Sequence, residues 1–379
     1  MALDHTREFL TGSPFAPEDL AHTSGPLFFT RFLTHFCAPV FFLLAGTGGY
    51  LSLAQGRSFS QVATFFWTRG FWLVFLDFTI VAYAWTYTWP VWFSGVLWAL
   101  GWSMIAMAFL VVLPLPWIAG LGTVIVVGHN LLDRVPAAAF GRLAGLWLIL
   151  HGHGWFWVEP GKIAFFVLWP LIPWVGVMAV GYSIGALLLR SDWRKTVFTL
   201  GALLTLAFLI LRFFHLYGNG DPSLQPWLAV GAGGWKLQPT LTLTVISFFD
   251  TLKYPPSLQF LLMTLGPALM ALSWFDRINP NHQLARILRT FGRVPLFYYV
   301  LHLFVIHTLA VWIALLSRQP AAWLLYGGPM LHTPPPGYGH SLAVIYSVWF
   351  AGLICLYPAC KWFARMKQQH PNQWWFRYL

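Results

Sequence analysis

The sequence predicts an all-α, polytopic transmembrane bundle of roughly ten helices, forming a single domain over residues 1–379. Only 9% of the residues are charged and 58% are hydrophobic, whereas soluble domains carry about 25% charged and 45–50% apolar residues. The mean hydropathy is +0.66. Apolar runs close to the length of about 20 residues that crosses a bilayer recur along the whole chain. These three observations exclude an ordinary soluble domain.

Nine apolar runs account for the predicted spans. They cover residues 28–53, 70–87, 91–113, 117–132, 165–189, 197–217, 257–274, 294–316 and 342–362. Another apolar stretch, 143–157, is interrupted by His151 and His153, so we predict that it is interfacial or re-entrant. Together with a short first helix, these segments make up the predicted bundle.

The basic residues lie in loops that alternate with loops richer in acidic residues. The basic loops include Arg57 and Arg69 and the segments 190–195, 277–293 and 361–377. Because basic loops tend to face the cytoplasm, we predict a multi-pass membrane protein with a cytoplasmic C-terminus. The segments 7–25, 133–162, 218–256 and 317–340 then face outward. The net charge of +11 does not indicate a nucleic-acid partner, because it is not gathered on one polar face.

Small residues spaced four apart predict close contacts between helices. Ala45 with Gly49, and Gly181 with Gly185, form two such pairs, and small residues allow helix backbones to approach each other in a membrane. The three cysteines have no metal-ligand spacing, so we predict no metal.

An ionisable group inside a membrane span is costly and therefore needs a partner or a function. Asp4 and His5 either belong to a disordered terminus or form a general base with a neighbouring carboxylate. Arg31 and His35 share one helix face, where they either anchor and pack the helix or line a site. Pro39 is expected to kink this helix next to His35.

Four further polar groups lie in or beside the predicted spans. Asp77 interrupts an apolar run, and we predict that it pairs with an arginine from another helix. His129, Asn130 and Asp133 lie in the segment GHNLLD. They form either a capped helix end or a polar wall of a substrate cleft.

The late span carries Tyr298 and His302 on one helix face. His307 follows five residues after His302 and points to a different face, so the spacing does not support a relay between the two histidines. Arg69 and Arg293 lie at cytoplasmic helix ends. They either anchor the helices or contact the phosphates of an anionic cofactor.

Seven stretches resemble one family of membrane proteins. They are LDHTREF, THFCAPVFFLLAGTGGYLSL, RGFWLVFLDFTIVAYAW, GHNLLD, PLIPWVGVMAVGYSIG, KYPPSLQFLLMTLGPAL and GRVPLFYYVLHLF. Together they are similar to the bacterial proteins related to heparan-alpha-glucosaminide N-acetyltransferase. Members of that family begin their first helix with a Leu-Arg-Gly segment ahead of the Asp-His pair. The present chain starts after it, so we predict a truncated first helix.

The resemblance implies transfer of an acetyl group from cytoplasmic acetyl-CoA to a sugar amine or hydroxyl on the outer side. His5 takes the position of an essential histidine in membrane acyltransferases, with Asp4 orienting it. His22 is the candidate for the histidine in the outward loop of the lysosomal relative, and His302 is similar to a histidine in the late helix of several relatives.

The resulting candidate residues fall into three groups. The catalytic group is His5, Asp4, His35, His129 and His302. The substrate-binding group is Arg31, Asn130, Asp133, Tyr254, Tyr298 and His22. The group that contacts acetyl-CoA is Arg69 and Arg293.

Two other classes of function remain open at this stage. A secondary transporter of a small solute also needs polar groups and kinked helices inside the membrane. A non-catalytic assembly protein would tolerate the loss of its histidines. The expected partners are membrane lipids and a small-molecule or glycan acceptor, with a homodimer possible and nucleic acid excluded.

Overall fold

The computed structural model describes residues 1–159, 161–221, 233–370 and 373–378. Their contacts divide the chain into two compact units. The terminal unit comprises Met1–Phe15, Phe78–Val91 and Arg277–Leu379, and the central unit comprises Ala16–Asp77 and Trp92–Asp276. The prediction of one domain over the whole chain stays a prediction.

The structure is mainly helical, with little strand, which confirms the predicted fold class. The helices are α1 Ala2–Leu10, α2 Gly25–His35, α3 Cys37–Ala54, α4 Phe59–Leu76, α5 Ala82–Thr86, α6 Val96–Leu110, α7 Leu115–Gly128, α8 Ala144–Leu150, α9 Leu171–Leu187, α10 Trp193–Phe213, α11 Leu241–Phe249, α12 Leu258–Phe275, α13 Gln283–Arg293, α14 Pro295–Leu316, α15 Ala322–Leu325, α16 Gly328–Leu331 and α17 Leu342–Gln369. The strands are β1 Phe93–Ser94, β2 Gly154–Glu159 and β3 Ile163–Val167.

Among the described residues, seven helical segments are long and apolar enough to cross a membrane. They are Gly25–Ala54, Phe59–Thr86, Leu115–Arg134, Trp193–Phe213, Leu258–Phe275, Pro295–Leu316 and Leu342–Gln369. Three shorter apolar helical segments, Val96–Leu110, Ala137–Leu150 and Leu171–Leu187, accompany them. The chain is therefore a multi-pass membrane protein.

The second span begins well before the predicted residue 70. Helix α4 starts at Phe59 because Ser58 and Gln61 form a capping box. Ser58 Oγ accepts the Gln61 amide at 3.2 Å, and Gln61 Oε1 accepts the Ser58 amide at 2.9 Å. This reciprocal pair satisfies amides that the first helical turn leaves without intrahelical partners. The predicted boundary was wrong because hydropathy does not detect a polar first turn.

The predicted spans 91–113 and 165–189, in contrast, are too long at their N-terminal ends. Residues 93–94 and 163–167 instead form strands β1 and β3, which pair in parallel, and β2 pairs antiparallel with β3. The stretch 143–157, predicted to be interfacial or re-entrant, divides between α8 and β2. Its aromatic residues Trp155 and Phe156 suit a strand. Short apolar strands and helices cannot be distinguished by hydropathy alone.

Helix pairs in the central unit pack through glycine. A Cβ atom built on Gly181 would lie 2.1 Å from the Leu43 carbonyl oxygen of α3, and one built on Gly46 would lie 2.0 Å from the Met178 carbonyl oxygen of α9. Gly181 therefore makes the close contact that its spacing predicts. On α3, the glycine that contacts α9 is Gly46. Gly49 instead faces the Phe66 ring of α4.

Asp77 has a backbone partner in place of the predicted arginine. Its Oδ2 accepts the Gly95 amide at 2.8 Å, just before the first turn of α6. A carboxylate at a helix N-terminus is stabilised by the helix dipole and by free amides. The prediction of an ion pair with an arginine was therefore wrong, because the positive end of α6 takes the place of a cation.

The predicted break beside His35 is confirmed. Helix α2 ends at His35, and α3 begins at Cys37 after a turn at Phe36. Pro39 has no amide hydrogen to donate to the carbonyl of His35. The break therefore places His35 at a helix end.

The glycine contact can be tested with Gly181→Ala. The added methyl group would overlap the backbone of α3, so we expect a loss of about 1–3 kcal/mol in the free energy of unfolding, as for other overpacked sites. The measurement is reversible unfolding in detergent. Gly120→Ala is the matched control, because a Cβ there meets nothing within 4 Å. Equal stability of the two variants would contradict the close contact.

Candidate functional site

Two histidines from distant parts of the chain meet in the terminal unit. His5 on α1 and His302 on α14 form a hydrogen bond of 2.8 Å between His5 Nδ1 and His302 Nε2. The other ring nitrogen of His302, Nδ1, lies 3.0 Å from the carbonyl oxygen of Tyr298. His302 is fully buried, whereas His5 is partly exposed.

These contacts fix the tautomers of both neutral rings. A carbonyl oxygen only accepts hydrogen bonds, so Nδ1 of His302 must carry a proton. Nε2 of His302 is then the acceptor, and Nδ1 of His5 is the donor. In a neutral His5 ring, Nε2 therefore holds the lone pair. This is the form that an imidazole needs to act as a general base.

Aromatic rings surround the histidine pair. The edge of His5 meets Trp85, with ring centres 4.7 Å apart, and the His5 ring lies nearly parallel to that of His302. Tyr298 stacks on His302 at 5.1 Å. The predicted shared face of Tyr298 and His302 is thus observed, and it holds the buried ring in one orientation.

Helix α1 is fastened at its C-terminal end. The Tyr338 hydroxyl donates to the Phe9 carbonyl, and the His340 amide donates to the Leu10 carbonyl at 2.9 Å. A Cβ at Gly12 would lie 1.9 Å from the Tyr338 carbonyl oxygen, so only glycine allows this approach. These contacts hold α1, and with it His5, in a fixed position.

The orienting role predicted for Asp4 stays a prediction. The atom that an orienting carboxylate would have to hold, His5 Nδ1, bonds to His302. Asp4 instead accepts from Arg7, with Nη2 at 3.0 Å, and Arg7 also reaches Glu8 at 3.3 Å. Neighbouring residues of a helix point in different directions. The carboxylate therefore pairs along its own helix.

His307 belongs to a different cluster, as its spacing predicts. Its two ring nitrogens lie 2.8 Å from the carbonyl oxygens of Ala84 and Leu324, and its ring stacks on Tyr87 at 3.7 Å. Both nitrogens thus face backbone acceptors. This arrangement gives His307 a structural role.

In the central unit, Glu18 joins the predicted pair Arg31 and His35. Its Oε1 lies 3.0 Å from Arg31 Nε and 3.4 Å from His35 Nε2. The shared helix face of Arg31 and His35 is therefore confirmed. This role of Glu18 was not predicted, because Glu18 lies 13 residues before Arg31 in an irregular loop.

A second carboxylate–histidine pair, which the sequence analysis missed, lies at the end of α7. His151 Nε2 bonds to Asp133 Oδ1 at 2.8 Å, and Asn130 Nδ2 donates to Asp133 Oδ2 at 2.8 Å. His151 is fully buried, and its Nδ1 has no hydrogen-bond partner among the described residues. An oriented imidazole with a lone pair on the opposite nitrogen is a possible proton acceptor.

The segment between α11 and α12 contacts the same motif. The Pro256 carbonyl accepts from His129 Nε2 at 2.7 Å, and Asn130 Oδ1 accepts the Leu258 amide at 2.8 Å. His129 Nδ1 also faces a carbonyl, that of Val126, at 3.0 Å. Because a backbone carbonyl faces each of its nitrogens, the ring joins backbone segments, and neither nitrogen is turned toward a substrate.

Tyr254 lies in the same segment and forms part of an aromatic group. Its ring meets Trp169 edge to face at 5.2 Å, and Lys253 Nζ lies 5.0 Å from the centre of the Tyr254 ring. Aromatic faces with a nearby polar group suit the binding of a sugar ring. Tyr254 therefore stays a candidate for substrate binding.

The remaining candidates lie at separate places. His22 is exposed and bonds to Asp19 at 2.7 Å, and this hydrogen bond lowers the pKa of the Asp19 carboxyl. Arg69 belongs to the central unit, where its guanidinium lies 5.8 Å from the centre of the Phe65 ring. Arg293 belongs to the terminal unit and lines a cavity.

Comparison with known families supports the resemblance. The family model described as heparan-alpha-glucosaminide N-acetyltransferase, catalytic, matches residues 17–230, which are 214 of the 379 residues. The match covers more than half of the chain. The chain belongs to this family. Neither the curated proteins nor the solved structures give a match.

The matched part of this N-acetyltransferase family member includes most of the polar groups of the central unit. Glu18, Arg31, His35, Asp133 and His151 lie within it. His5, Tyr254, Arg293, Tyr298 and His302 lie outside it. The family match therefore does not bear on the histidine pair of the terminal unit, whose candidate role is supported by its geometry.

The buried Asp133 network predicts a measurable stability difference. Asp133→Asn would replace one acceptor oxygen by an NH₂ group facing a donor, so we expect a loss of about 1–3 kcal/mol. Asp276→Asn is the control, because its partner Arg194 is exposed and such pairs contribute about 0–1 kcal/mol. Thermal unfolding in detergent compares the two. Equal effects would contradict a buried hydrogen-bond network at Asp133.

Proposed function

We propose that this protein is a transmembrane acyltransferase that moves an acetyl group from cytoplasmic acetyl-CoA to a sugar amine or hydroxyl on the outer side. The bond between His5 and His302 carries the proposal, because it leaves a lone pair on Nε2 of a partly exposed imidazole. Membership of the N-acetyltransferase family supports the same class of reaction. We place the protein in the bacterial inner membrane with its C-terminus in the cytoplasm.

In the proposed reaction, His5 acts as the general base. Its Nε2 takes the proton of the acceptor N–H or O–H while the nucleophile attacks the carbonyl carbon of the acetyl thioester. The carbon–sulfur bond then breaks, and the leaving thiolate takes the proton from the His5 imidazolium. Proton transfer by a positioned histidine contributes about 10²–10⁴-fold to a rate.

His302 is a positioning residue in this mechanism. It is buried and accepts the Nδ1 proton of His5, so it holds the tautomer in which Nε2 is basic. It also stabilises the imidazolium that forms when His5 takes a second proton. Tyr298 supports His302 through its carbonyl and its ring.

The polar groups of the central unit are of the kinds that bind a sugar. Arg31, His35 and Asn130 combine hydrogen-bond donors and acceptors, and Tyr254 adds an aromatic face beside Trp169. A polyhydroxylated ring needs both kinds of contact. We propose that Arg293 contacts the phosphates of acetyl-CoA, since guanidinium groups bind phosphate through paired hydrogen bonds. For Arg69, which belongs to the other unit, a phosphate contact stays a prediction.

His5 and His22 are competing candidates for the base, and substitution separates them. We expect His5→Gln to lower acetyl transfer by about 10²–10⁴-fold, because the proton acceptor is removed, and His22→Gln to retain most of it. The measurement is release of free thiol from acetyl-CoA by protein in liposomes, with glucosamine added on the outer side. His332→Gln is the control, because His332 is exposed and its ring bonds, among the described residues, only to the Tyr326 carbonyl.

Two outcomes would contradict the proposal, and a third would invalidate the comparison. Loss of transfer in His22→Gln with full transfer in His5→Gln would move the base to the outer loop. Thiol release that does not rise with glucosamine in the unsubstituted protein would contradict a sugar amine as acceptor. Loss of transfer in His332→Gln would mean that the assay reports on folding.

The positioning role of His302 predicts a graded response. Gln at position 302 keeps an acceptor for the His5 Nδ1 proton, whereas Leu removes it. We therefore expect His302→Gln to retain more of kcat than His302→Leu, with little change in KM for acetyl-CoA in either variant. Equal losses of kcat in two folded variants would mean that His302 only fills space.

A further inference from the structure

A cavity of about 570 Å³ in the terminal unit is lined by basic side chains. Arg286, Arg289 and Arg293 reach it from α13, and Lys361 and Arg365 reach it from α17. The three arginines are spaced three and four residues apart, and the two residues of α17 are four apart. Helical periodicity therefore places the three arginines on one face of α13 and the two cations of α17 on one face of that helix. Both faces line the cavity.

No carboxylate offsets this charge within the described part of the chain. The described lining residues include neither Asp nor Glu, and none of the five cations forms an ion pair with a described residue. Like charges on adjacent turns destabilise a helix. Five unpaired cations around one cavity are therefore best explained by an anionic ligand.

The neutral lining residues also suit a polar anion. Asn281, Thr290 and Gln368 add hydrogen-bonding groups between the cations. A cavity of this size is within the range of about 300–1,000 Å³ that takes small ligands and cofactors. Arginine binds phosphate oxygens through two parallel hydrogen bonds, and lysine adds a point charge.

Helix α13 has an apolar side as well. Leu284 and Leu288 are 56% and 60% exposed, and their four-residue spacing places them on one face. A helix with exposed leucines on one side and arginines on another suits the surface of a membrane. We therefore expect the cavity to lie at the membrane surface, where both lipid headgroups and soluble nucleotides can reach it.

We propose that this cavity binds a ligand that carries more than one phosphate group. The phosphates could come from coenzyme A, in which case the cavity holds the donor of the proposed acyl transfer, or from the headgroup of a diphosphate lipid. The number and spacing of the cations favour several phosphates over one carboxylate. The site does not depend on transferase activity, because binding requires no turnover.

Binding to the whole protein in phosphate-free detergent tests the proposal. The probes are coenzyme A, inorganic pyrophosphate, and vesicles of phosphatidylcholine with or without diphosphatidylglycerol. We expect at least one multiphosphate probe to bind, and Arg286→Gln/Arg289→Gln to raise its dissociation constant about tenfold or more, because charge-assisted hydrogen bonds are lost. Lys361→Gln should weaken binding of the same probe.

Lys195→Gln is the matched control for Lys361→Gln, because Lys195 is exposed and does not line the cavity. Binding of coenzyme A or pyrophosphate in detergent indicates a nucleotide, and binding that requires diphosphatidylglycerol indicates a lipid. His5→Gln should bind coenzyme A as tightly as the unsubstituted protein, so a failed acyl transfer can be distinguished from a failed phosphate site. The proposal is overturned if no probe binds, or if the folded double variant binds as tightly as Lys195→Gln.

Discussion

Each polar group inside this apolar bundle needs a partner from the protein, because the hydrocarbon around it supplies none. His302 shows the consequence most clearly. Its Nδ1 is satisfied by the Tyr298 carbonyl and its Nε2 by His5. The need to satisfy a buried ring thereby fixes the protonation of the more exposed ring beside it. The hydrogen bonds that satisfy the buried His302 ring thus also hold His5 in the tautomer that can act as a base.

The same constraint explains polar groups with no role in the proposed reaction. Arg212 is almost fully buried and donates to the carbonyls of Ser247 and Phe248 at 2.8 and 2.9 Å. It also donates to Asn219 Oδ1 at 2.9 Å. The guanidinium has several donors in a rigid plane, so one side chain joins the end of α10 to α11 and to the loop after α10. Asp77 is the acceptor counterpart, because its carboxylate satisfies the Gly95 amide ahead of α6.

The interiors of the spans were predictable from the sequence, because about 20 apolar residues have few alternatives in a chain of this composition. Their ends were not, since capping depends on individual polar residues. Ser58 and Gln61 moved one boundary by a full 11 residues, from 70 to 59. The short strands at 93–94 and 163–167 were missed because apolar periodicity does not distinguish a short strand from a helix.

The site was predictable where its residues are neighbours on one helix. Arg31 with His35, and Tyr298 with His302, share faces as their four-residue spacing requires. The partners that complete each pair come from elsewhere in the chain. Glu18, His151 and the bond between His5 and His302 depend on tertiary contacts, which spacing cannot reveal. Asp4 shows the limit of adjacency in sequence, because its carboxylate bonds to Arg7 on the same helix and its predicted orienting role stays a prediction.

The protonation of His5 is the most direct test of this account. Nitrogen-15 NMR of the protein labelled in its histidine rings, with His5→Gln used to assign the signals, distinguishes protonated from unprotonated ring nitrogens. The account predicts that neutral His5 carries its proton on Nδ1 and has an unprotonated Nε2. It also predicts that His302→Leu disturbs this state. A His5 signal with the proton on Nε2, unchanged by His302→Leu, would contradict the assignment of His5 as a base held by His302.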